Sequence, residues 1–139
     1  MILMIDTNVV LDIVLKREPF FEDSYLTMLN AGENADLTLL SASAMTDLFY
    51  VLRKSIGAAA AKEAVENLQS LIDYADVTRS YIEDAFRSSL PDLEDALVSA
   101  IAGRCKADYI ITGNKANYKG SKVPAITPTE FVQMIGVTV

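Results

Sequence analysis

The stretch Met1-Ile-Leu-Met-Ile-Asp-Thr-Asn-Val-Val-Leu-Asp-Ile-Val14 decides the fold of this chain. Residues 2–5 are an unbroken apolar run, which is typical of a strand buried on both faces. Apolar residues return at helical spacing from Val9, so Asp6 lies where a buried strand passes into a helix. Ligands bind at the carboxyl ends of strands in open α/β sheets, which makes Asp6 a candidate site residue. Asp, Thr and Asn are also favoured helix caps, so capping alone remains an alternative for this position.

The composition excludes several classes of site. The chain has 139 residues, 19 of them acidic and 12 basic, with a net charge of −7. This length predicts a single domain over residues 1–139. The sequence has no histidine and one cysteine, which excludes Ser-His-Asp and Cys-His catalysis, a structural zinc site and an internal disulfide. The negative charge argues against a general nucleic-acid coat. We expect a cytoplasmic protein with no membrane contact, because the chain shows neither a long apolar run nor a secretory signal.

Short apolar runs alternate with amphipathic segments along the rest of the chain. Strands are predicted at residues 37–40, 75–78, 109–111 and 123–126. Helices are predicted around residues 20–29, 43–56, 58–72, 80–88 and 92–105, and from residue 127 onwards. We expect the second helix to end near Gly32 and capping boxes at residues 80–83 and 127–130. The alternation predicts an α/β fold whose central, short, mostly parallel sheet is flanked by helices on both faces.

Further acidic residues lie at predicted helix starts that would meet the same edge of the sheet. Asp47 lies in the first turn of the third helix, at the margin of its apolar face. Asp92 and Asp95 are three residues apart, so they share one face of the helix that begins there. We expect Glu94 to point elsewhere into solvent, and Leu93 to face the core. Acidic residues are favoured in the first turn of any helix, so a structural role for each one alone remains open.

Polar residues also follow the strand at 109–111. Thr112 and Asn114 would lie at the same edge as Asp6 if the two strands run parallel. Carboxylates brought within a few Å of each other repel unless a cation lies between them. Mg²⁺ and Mn²⁺ take oxygen ligands of this kind, and such ions can activate water for phosphodiester hydrolysis. The pattern therefore indicates a metal-dependent enzyme that acts on phosphodiesters.

Four segments occur in a characteristic order: Met4-Ile-Asp-Thr-Asn-Val-Val10, Thr46-Asp-Leu-Phe-Tyr-Val-Leu-Arg53, Asp92-Leu-Glu-Asp-Ala96 and Ala107-Asp-Tyr-Ile-Ile-Thr-Gly-Asn114. Asn117-Tyr118 and residues 123–131 follow the last of them. In this order and at these separations, the segments resemble the PIN domain family, and within it the VapC-type ribonuclease toxins. The resemblance covers essentially the whole chain and implies the family's three-layer α/β/α fold.

The resemblance also implies roles for individual residues. Four carboxylates would bind metal, the first three of them catalytic: Asp6, Asp47, Asp95 and Asp92. Five polar residues would support the carboxylates or line the metal pocket: Thr7, Asn8, Thr112, Asn114 and Asn117. The family implies Mg²⁺- or Mn²⁺-dependent cleavage of single-stranded RNA, a homodimer, and a small antitoxin protein as partner.

Two positions depart from the family's pattern. The second acidic position is commonly Glu, and here it is the shorter Asp47. An Asp commonly follows the closing strand, whereas here Asn117 stands in that region and no acid lies between Asp108 and Glu130. A neutral amide would hold a second metal weakly, so low activity, or a site without activity, is part of the prediction.

Basic residues near the proposed site could contact RNA phosphates: Arg53, Lys54, Lys115, Lys119 and Lys122. Ordinary solvated side chains are an equal alternative for each of them. Tyr50 and Tyr118 could stack on bases, although half-buried packing is the simpler interpretation. Two other functions stay open: a PIN-fold binding or assembly module without catalysis, and a Mg²⁺ phosphotransferase.

Overall fold

The computed structural model describes residues 1–136, which form a five-stranded sheet covered by helices. The strands are β1 (Ile2–Ile5), β2 (Leu37–Ser41), β3 (Asp73–Ala75), β4 (Tyr109–Ile111) and β5 (Ala125–Ile126). The α-helices are α1 (Thr7–Val14), α2 (Phe21–Asn34), α3 (Ala44–Ile56), α4 (Ala58–Leu68), α5 (Arg79–Arg87), α6 (Leu93–Arg104) and α7 (Pro128–Met134). A 3₁₀ turn covers Lys115–Tyr118. The predicted end of the last helix beyond residue 136 lies outside the described residues.

The sheet is parallel throughout, with the strand order β3-β2-β1-β4-β5. The chain moves outward from β1 through β2 to β3, then returns to the other side of β1 to form β4 and β5. Strand order therefore reverses between β1 and β4, where Leu3 pairs with Tyr109 and Ile5 with Ile111. Such a reversal opens a crevice at the carboxyl ends of the two strands, which is the usual ligand site of doubly wound sheets.

Helices cover both faces of the sheet, which confirms the predicted three-layer fold. Leu3 and Ile5 of β1 pack into one apolar core, on the side of α1, α2, α3, α4 and α7. Met4 points to the opposite face and packs into a second core with α6 and Tyr118. This alternation follows from the period of two in a strand. It also explains why β1 has no polar residue before Asp6.

Recognisable signals fix the ends of two helices, and the second of them confirms a prediction. Gly57 ends α3 with a φ of +87°, a left-handed conformation that glycine adopts without steric cost. Thr127 and Glu130 form a capping box at the start of α7, with both hydrogen bonds at 3.1 Å. This box fixes the direction in which α7 leaves the sheet, close to the end of β5.

Other local predictions were wrong. The helix α2 continues through Gly32 to Asn34. Gly32 lies against Leu71, and a Cβ there would come to 3.0 Å from that side chain, so the glycine allows close packing and does not end the helix. The predicted capping box at 80–83 does not form, since α5 begins at Arg79 and Glu83 binds the Nε of Arg79 at 2.9 Å. The strand β3 covers residues 73–75 rather than 75–78, and α4 ends at residue 68 rather than 72.

The buried face of α6 also differs from the prediction. Leu93 is 50% exposed, whereas Val98, Ile101 and Ala102 are buried. Apolar residues lie on several sides of this helix, so its sequence does not indicate which side faces the sheet. Residues 94 and 95 lie three or four positions before Val98, on the same side of α6. At the carboxyl edge of the sheet, the face of α6 that packs on the sheet therefore ends in two acidic side chains, Glu94 and Asp95.

Within the described residues, no helix combines the length and the apolar character needed to cross a membrane.

Candidate active site

Asp6 lies in the crevice between β1 and β4. Its backbone N–H donates to the carbonyl of Ile111 at 2.9 Å, which ties the end of β1 to the end of β4. Its Oδ1 accepts a hydrogen bond from the backbone N–H of Thr7 at 2.8 Å. Asp6 is therefore the cap of α1, and the same residue is half-buried at the position where ligands bind in this class of sheet. The capping interpretation is confirmed for this residue, and its role as a site residue stays a prediction.

The other oxygen of Asp6 accepts two hydrogen bonds from side chains. The hydroxyl of Thr112 donates to Oδ2 at 2.9 Å, and the hydroxyl of Tyr118 donates to the same atom at 3.0 Å. The Thr112 hydroxyl is oriented in turn, because its oxygen accepts from the backbone N–H of Asn114 at 3.1 Å. A carboxylate with three donors has a fixed direction and keeps part of its lone-pair capacity free for a further ligand.

Asn8 connects the same two strand ends. Its Oδ1 accepts a hydrogen bond from the backbone N–H of Gly113 at 3.1 Å. Thr7, the other predicted support of Asp6, acts through its backbone N–H. Asn8 therefore joins the start of α1 to the turn after β4, and the two segments that carry Asp6 and Thr112 are held in register.

The first turn of α6 brings Asp92 and Asp95 to this crevice. Asp92 is the cap of the helix and accepts from the backbone N–H of Asp95 at 3.0 Å. Burial raises the pKa of the Asp95 carboxyl, and the neighbouring charges of Asp92 and Asp6 raise it further. Hydrogen bonding with Tyr118 acts in the opposite direction and lowers it. Asp95 and Asp6 thus sense each other's charge, with Tyr118 interacting with both.

Glu94 is exposed, as predicted, but its pKa responds to the charges of this group. Burial is the largest cause of its raised pKa, and the charges of four other carboxylates raise it further: Asp47, Asp6, Asp92 and Asp95. Glu94 retains contact with solvent, so it lies at the mouth of the crevice. Residue 94 lies on the side of α6 that packs on the sheet, as described above, and this accounts for its position. We use the name carboxylate cluster for Asp6, Asp47, Asp92, Glu94 and Asp95.

Asp47 lies in the first turn of α3, as predicted, and its side chain is exposed. Its charge contributes to the raised pKa of Glu94, so its carboxylate lies within electrostatic range of the start of α6. Asn114 precedes the 3₁₀ turn, and Asn117 lies within it with its backbone N–H donating to the carbonyl of Asn114 at 3.0 Å. Both residues are exposed.

Tyr118 is the site residue whose position the sequence did not reveal. It is 3% exposed and packs in the second apolar core, so it is not placed to stack on a base as one hypothesis suggested. Burial is the largest cause of its raised pKa, and the charges of Asp6 and Asp95 raise it further. The phenol therefore stays protonated and serves as a hydrogen-bond donor to the carboxylate cluster.

The predicted RNA-binding cations differ in their surroundings. Lys115 forms an ion pair with Glu130, with 2.9 Å between Nζ and Oε2. The Nζ of Lys54 lies 4.6 Å from the centre of the Tyr50 ring, in a cation–π contact. Arg53 is exposed in the last turn of α3, and Lys119 is exposed after the 3₁₀ turn.

The donor set of the carboxylate cluster fits a hard divalent cation, because it consists of carboxylate, hydroxyl and amide oxygens. Burial, and then neighbouring like charges, raise the pKa values of two carboxyls of the cluster, and a cation would relieve the repulsion between these charges. Within residues 1–136, no three acidic side chains stand close enough together to enclose a metal ion. Asp6 and Asp95 are the pair that Tyr118 links, so a cation bound here would begin with them.

The comparisons with known proteins agree with this fold. The sequence profile of the PIN domain family matches residues 3–116. The chain therefore belongs to the PIN domain family. A search of curated proteins finds no matching sequence.

Solved structures show the same architecture. The fold is similar to that of VapBC2 from Rickettsia felis bound to a DNA fragment from the promoter, with a TM-score of 0.73, 17% identity, and coverage of 91% of this chain and 98% of that chain. For DNA-bound VapBC from Salmonella typhimurium the TM-score is 0.70 at 16% identity, with 92% and 98% covered. For VapC20 of Mycobacterium tuberculosis, a toxin that cleaves the sarcin–ricin loop, it is 0.63 at 13% identity, with 78% and 86% covered. These likenesses establish that the chain has the fold of VapC toxins.

Proposed function

We propose that this protein is a Mg²⁺- or Mn²⁺-dependent ribonuclease that cleaves single-stranded RNA, and that it is the toxin of a toxin–antitoxin pair. The observation that carries the proposal is the carboxylate cluster at the reversal point between β1 and β4. Burial, and then the charges of neighbouring carboxylates, raise the pKa of Asp95 and of Glu94 there, an arrangement that costs stability unless the site binds a cation.

In this proposal, Asp6 and Asp95 are the first ligands of the cation, and Asp47 and Asp92 complete the set. Glu94 is added to the predicted ligands because, besides burial, the charges of all four carboxylates raise its pKa. A bound Mg²⁺ or Mn²⁺ would supply a water of lowered pKa and stabilise the leaving oxygen of the phosphodiester. Because no three carboxylates form a ready cage in residues 1–136, the substrate phosphate is expected to contribute ligands to the cation.

The protein's own residues orient the reacting groups. Thr112, Tyr118 and the backbone N–H of Thr7 fix both oxygens of Asp6. Asn8 holds the turn after β4, and Asn114 orients the Thr112 hydroxyl through its backbone N–H. A fixed ligand loses less conformational entropy when the cation binds, so these contacts would strengthen metal binding.

The family and the fold support a toxin role. Structures of VapBC from two organisms, which are similar in fold, contain the complex bound to DNA. We therefore propose a small antitoxin as the protein partner and a homodimer as the assembled form, located in the cytoplasm. The exposed cations near the cluster are proposed phosphate contacts: Arg53, Lys54, Lys115, Lys119.

Two observations bear on the alternatives. The lack of a ready three-carboxylate cage in residues 1–136 and the amide at Asn117 favour a PIN-fold binding module over a highly active enzyme. A phosphotransferase that uses Asp6 as nucleophile would need a second acid close behind it. Asn8 occupies that position and is engaged with Gly113, which argues against phosphotransfer.

A cleavage assay tests the proposal. Fluorescently labelled single-stranded RNA of mixed sequence is incubated with the protein and Mn²⁺, Mg²⁺ or EDTA. We expect cleavage that needs the metal and is lost in Asp6→Asn, which preserves the helix cap because Asn caps well. The matched control is Asp73→Asn, an exposed acid at the opposite edge of the sheet. Cleavage that persists in EDTA or in Asp6→Asn would contradict the proposal, and a metal-binding protein that cleaves no RNA would favour the binding module.

A further inference from the structure

A groove runs along α6, beside the carboxylate cluster and separate from it. It has a volume of about 890 Å³ and lies between α5, α6 and the segment 120–123. Its floor is formed by four small residues of α6 at the spacing i, i+3, i+4, i+7: Ala96, Ser99, Ala100 and Gly103. Residues at this spacing share one face of a helix. Ala96 and Ser99 are buried, with 2.7 Å between the hydroxyl oxygens of Ser99 and Ser121. Ala100 and Gly103 are partly exposed and carry no long side chain, so an extended ligand can approach the helix backbone there.

Cations surround this groove in a protein that is otherwise acidic. Four of the chain's 12 basic residues line it: Arg87, Arg104, Lys106 and Lys122. The one acid among the lining residues is Asp84, which binds Nε of Arg104 at 2.7 Å and lies 3.7 Å from Arg87. Four cations and one carboxylate give the groove a charge of +3, although the whole chain carries −7.

The groove and the carboxylate cluster share the helix α6. Ala96, at one end of its floor, directly follows Asp95 in the first turns of α6. Gly103 lies seven residues further along, which is about 10 Å at the rise of an α-helix. The stem of Lys122 passes over this end, 3.9 Å from where a Cβ of Gly103 would be. Stacked nucleotides in a nucleic-acid strand are ~3.4 Å apart along its axis, so about three phosphates of an RNA strand would lie over this distance.

We propose that this groove binds the backbone phosphates of the RNA substrate next to the nucleotide at the carboxylate cluster. The inference rests on the proposed ribonuclease function and names the path of its substrate. Charge complementarity selects this occupant, because a polyanion meets four cations here, whereas the cluster and most of the surface repel it. It also gives a reason for an acidic protein to bind RNA without a general basic surface.

A second copy of this chain is the competing occupant. Ile82 and Phe86 are exposed on α5 near the groove, at 43% and 71%, and could form part of an interface between copies. Two such grooves facing each other would bring like charges together, which argues against this occupant. The oligomeric state is therefore measured together with RNA binding.

The test uses the double variant Arg87→Gln/Lys122→Gln, which leaves the ion pair between Arg104 and Asp84 in place. Its matched control is Lys16→Gln/Lys62→Gln, which removes the same charge from α4 and the end of α1. Binding of a short, labelled single-stranded RNA is measured by fluorescence anisotropy in EDTA, so that no metal-dependent cleavage occurs. The KCl concentration is varied from about 50 to 200 mM to obtain the slope of log K against log salt.

Two phosphate contacts predict a clear result. The slope of the groove variant should be smaller than that of the wild type by about 1.4, at ~0.7 per contact on a single strand. Its affinity at the lowest salt should fall roughly tenfold or more, and the control should match the wild type in both. With Mn²⁺ present, the groove variant should raise KM for cleavage more than it lowers kcat.

Equal affinity and slope in the groove variant and the control would overturn the inference. A groove variant that becomes monomeric in sedimentation velocity while RNA binding is unchanged would also overturn it and assign the groove to a second copy. A different outcome would refute the proposed function and not the groove. A wild type that binds RNA through Arg87 and Lys122 but cleaves none with Mn²⁺ would refute the nuclease and leave the groove in place.

Discussion

The hydroxyl of Tyr118 donates a hydrogen bond of 3.0 Å to Oδ2 of Asp6, across 112 residues of sequence. The Tyr118 ring is buried in the core beneath α6, and its hydroxyl also interacts with Asp95. A neutral donor therefore lies between two carboxylates that would otherwise repel each other. This contact comes from the segment where the family commonly has an acid and where this chain has Asn117-Tyr118.

We expect Tyr118→Phe to weaken Mn²⁺ binding about tenfold or more, the usual loss when a hydrogen-bond partner of a metal ligand is removed. The ring stays buried, so packing changes little. Calorimetric titration with Mn²⁺ measures the affinity, and Tyr109→Phe, which removes a hydroxyl at the start of β4, is the control. Unchanged affinity in Tyr118→Phe would show that the hydroxyl does not position Asp6.

Asp95→Asn should stabilise the metal-free protein while it removes metal binding. Its carboxyl is destabilised by burial and by the charges of Asp92 and Asp6, and an amide of the same shape carries no charge. We expect Tm in EDTA to rise by a few degrees, and the Mn²⁺-dependent increase in Tm seen for the wild type to disappear. Thermal melts with and without Mn²⁺ test both effects. A lower Tm in EDTA would mean that the carboxylate stabilises the fold.

The pH dependence of this stabilisation has a definite sign. The pKa of Asp95 is raised in the folded state, so the folded protein binds more protons than the unfolded chain between the two pKa values. Stability is then lost as the pH rises through this window. The advantage of Asp95→Asn in EDTA should be absent below the ordinary Asp pKa of 3.8 and complete at neutral pH. Urea unfolding at several pH values measures it, and a pH-independent difference would contradict the assignment.

Asn117→Asp should strengthen metal binding. It places an acid on the 3₁₀ turn, one residue before Tyr118, whose hydroxyl donates to Asp6. One added negative charge a few Å from a divalent cation is worth on the order of 1–2 kcal/mol near a surface, or roughly tenfold in affinity. Calorimetry with Mn²⁺ measures the change, with Asn67→Asp on α4 as the control. Equal affinities in the wild type, the control and Asn117→Asp would place residue 117 outside the reach of the metal.

The sequence predicted the sheet and one side of the site for identifiable reasons. The unbroken apolar runs of β1 and β4 are strong signals of buried parallel strands, so the parallel arrangement that brings Asp6 beside Thr112 could be inferred. Asn8 could be linked to Asp6 by proximity in sequence, although its bond to Gly113 depends on how the two strands are paired.

The sequence predicted Asp92 and Asp95 of α6 as site residues, but it did not predict the orientation of this helix or the burial of Tyr118. The apolar residues of α6 are distributed around the helix, so the exposure of Leu93 depends on tertiary packing. Tyr118 follows a polar loop, and no periodic pattern there shows that the ring enters the core. The available signal was the pair Asn117-Tyr118, an amide and an aromatic residue in a segment where the family commonly has an acid.

The central claim is that the carboxylate cluster binds a divalent cation through Asp6. Calorimetric titration of the metal-free protein with Mn²⁺ tests it most directly, on the wild type, Asp6→Asn and the control Asp73→Asn. We predict binding by the wild type and by the control, and a loss of at least about tenfold in affinity in Asp6→Asn. Equal binding by the wild type and Asp6→Asn, or no binding by the wild type in the presence of single-stranded RNA, would contradict the claim.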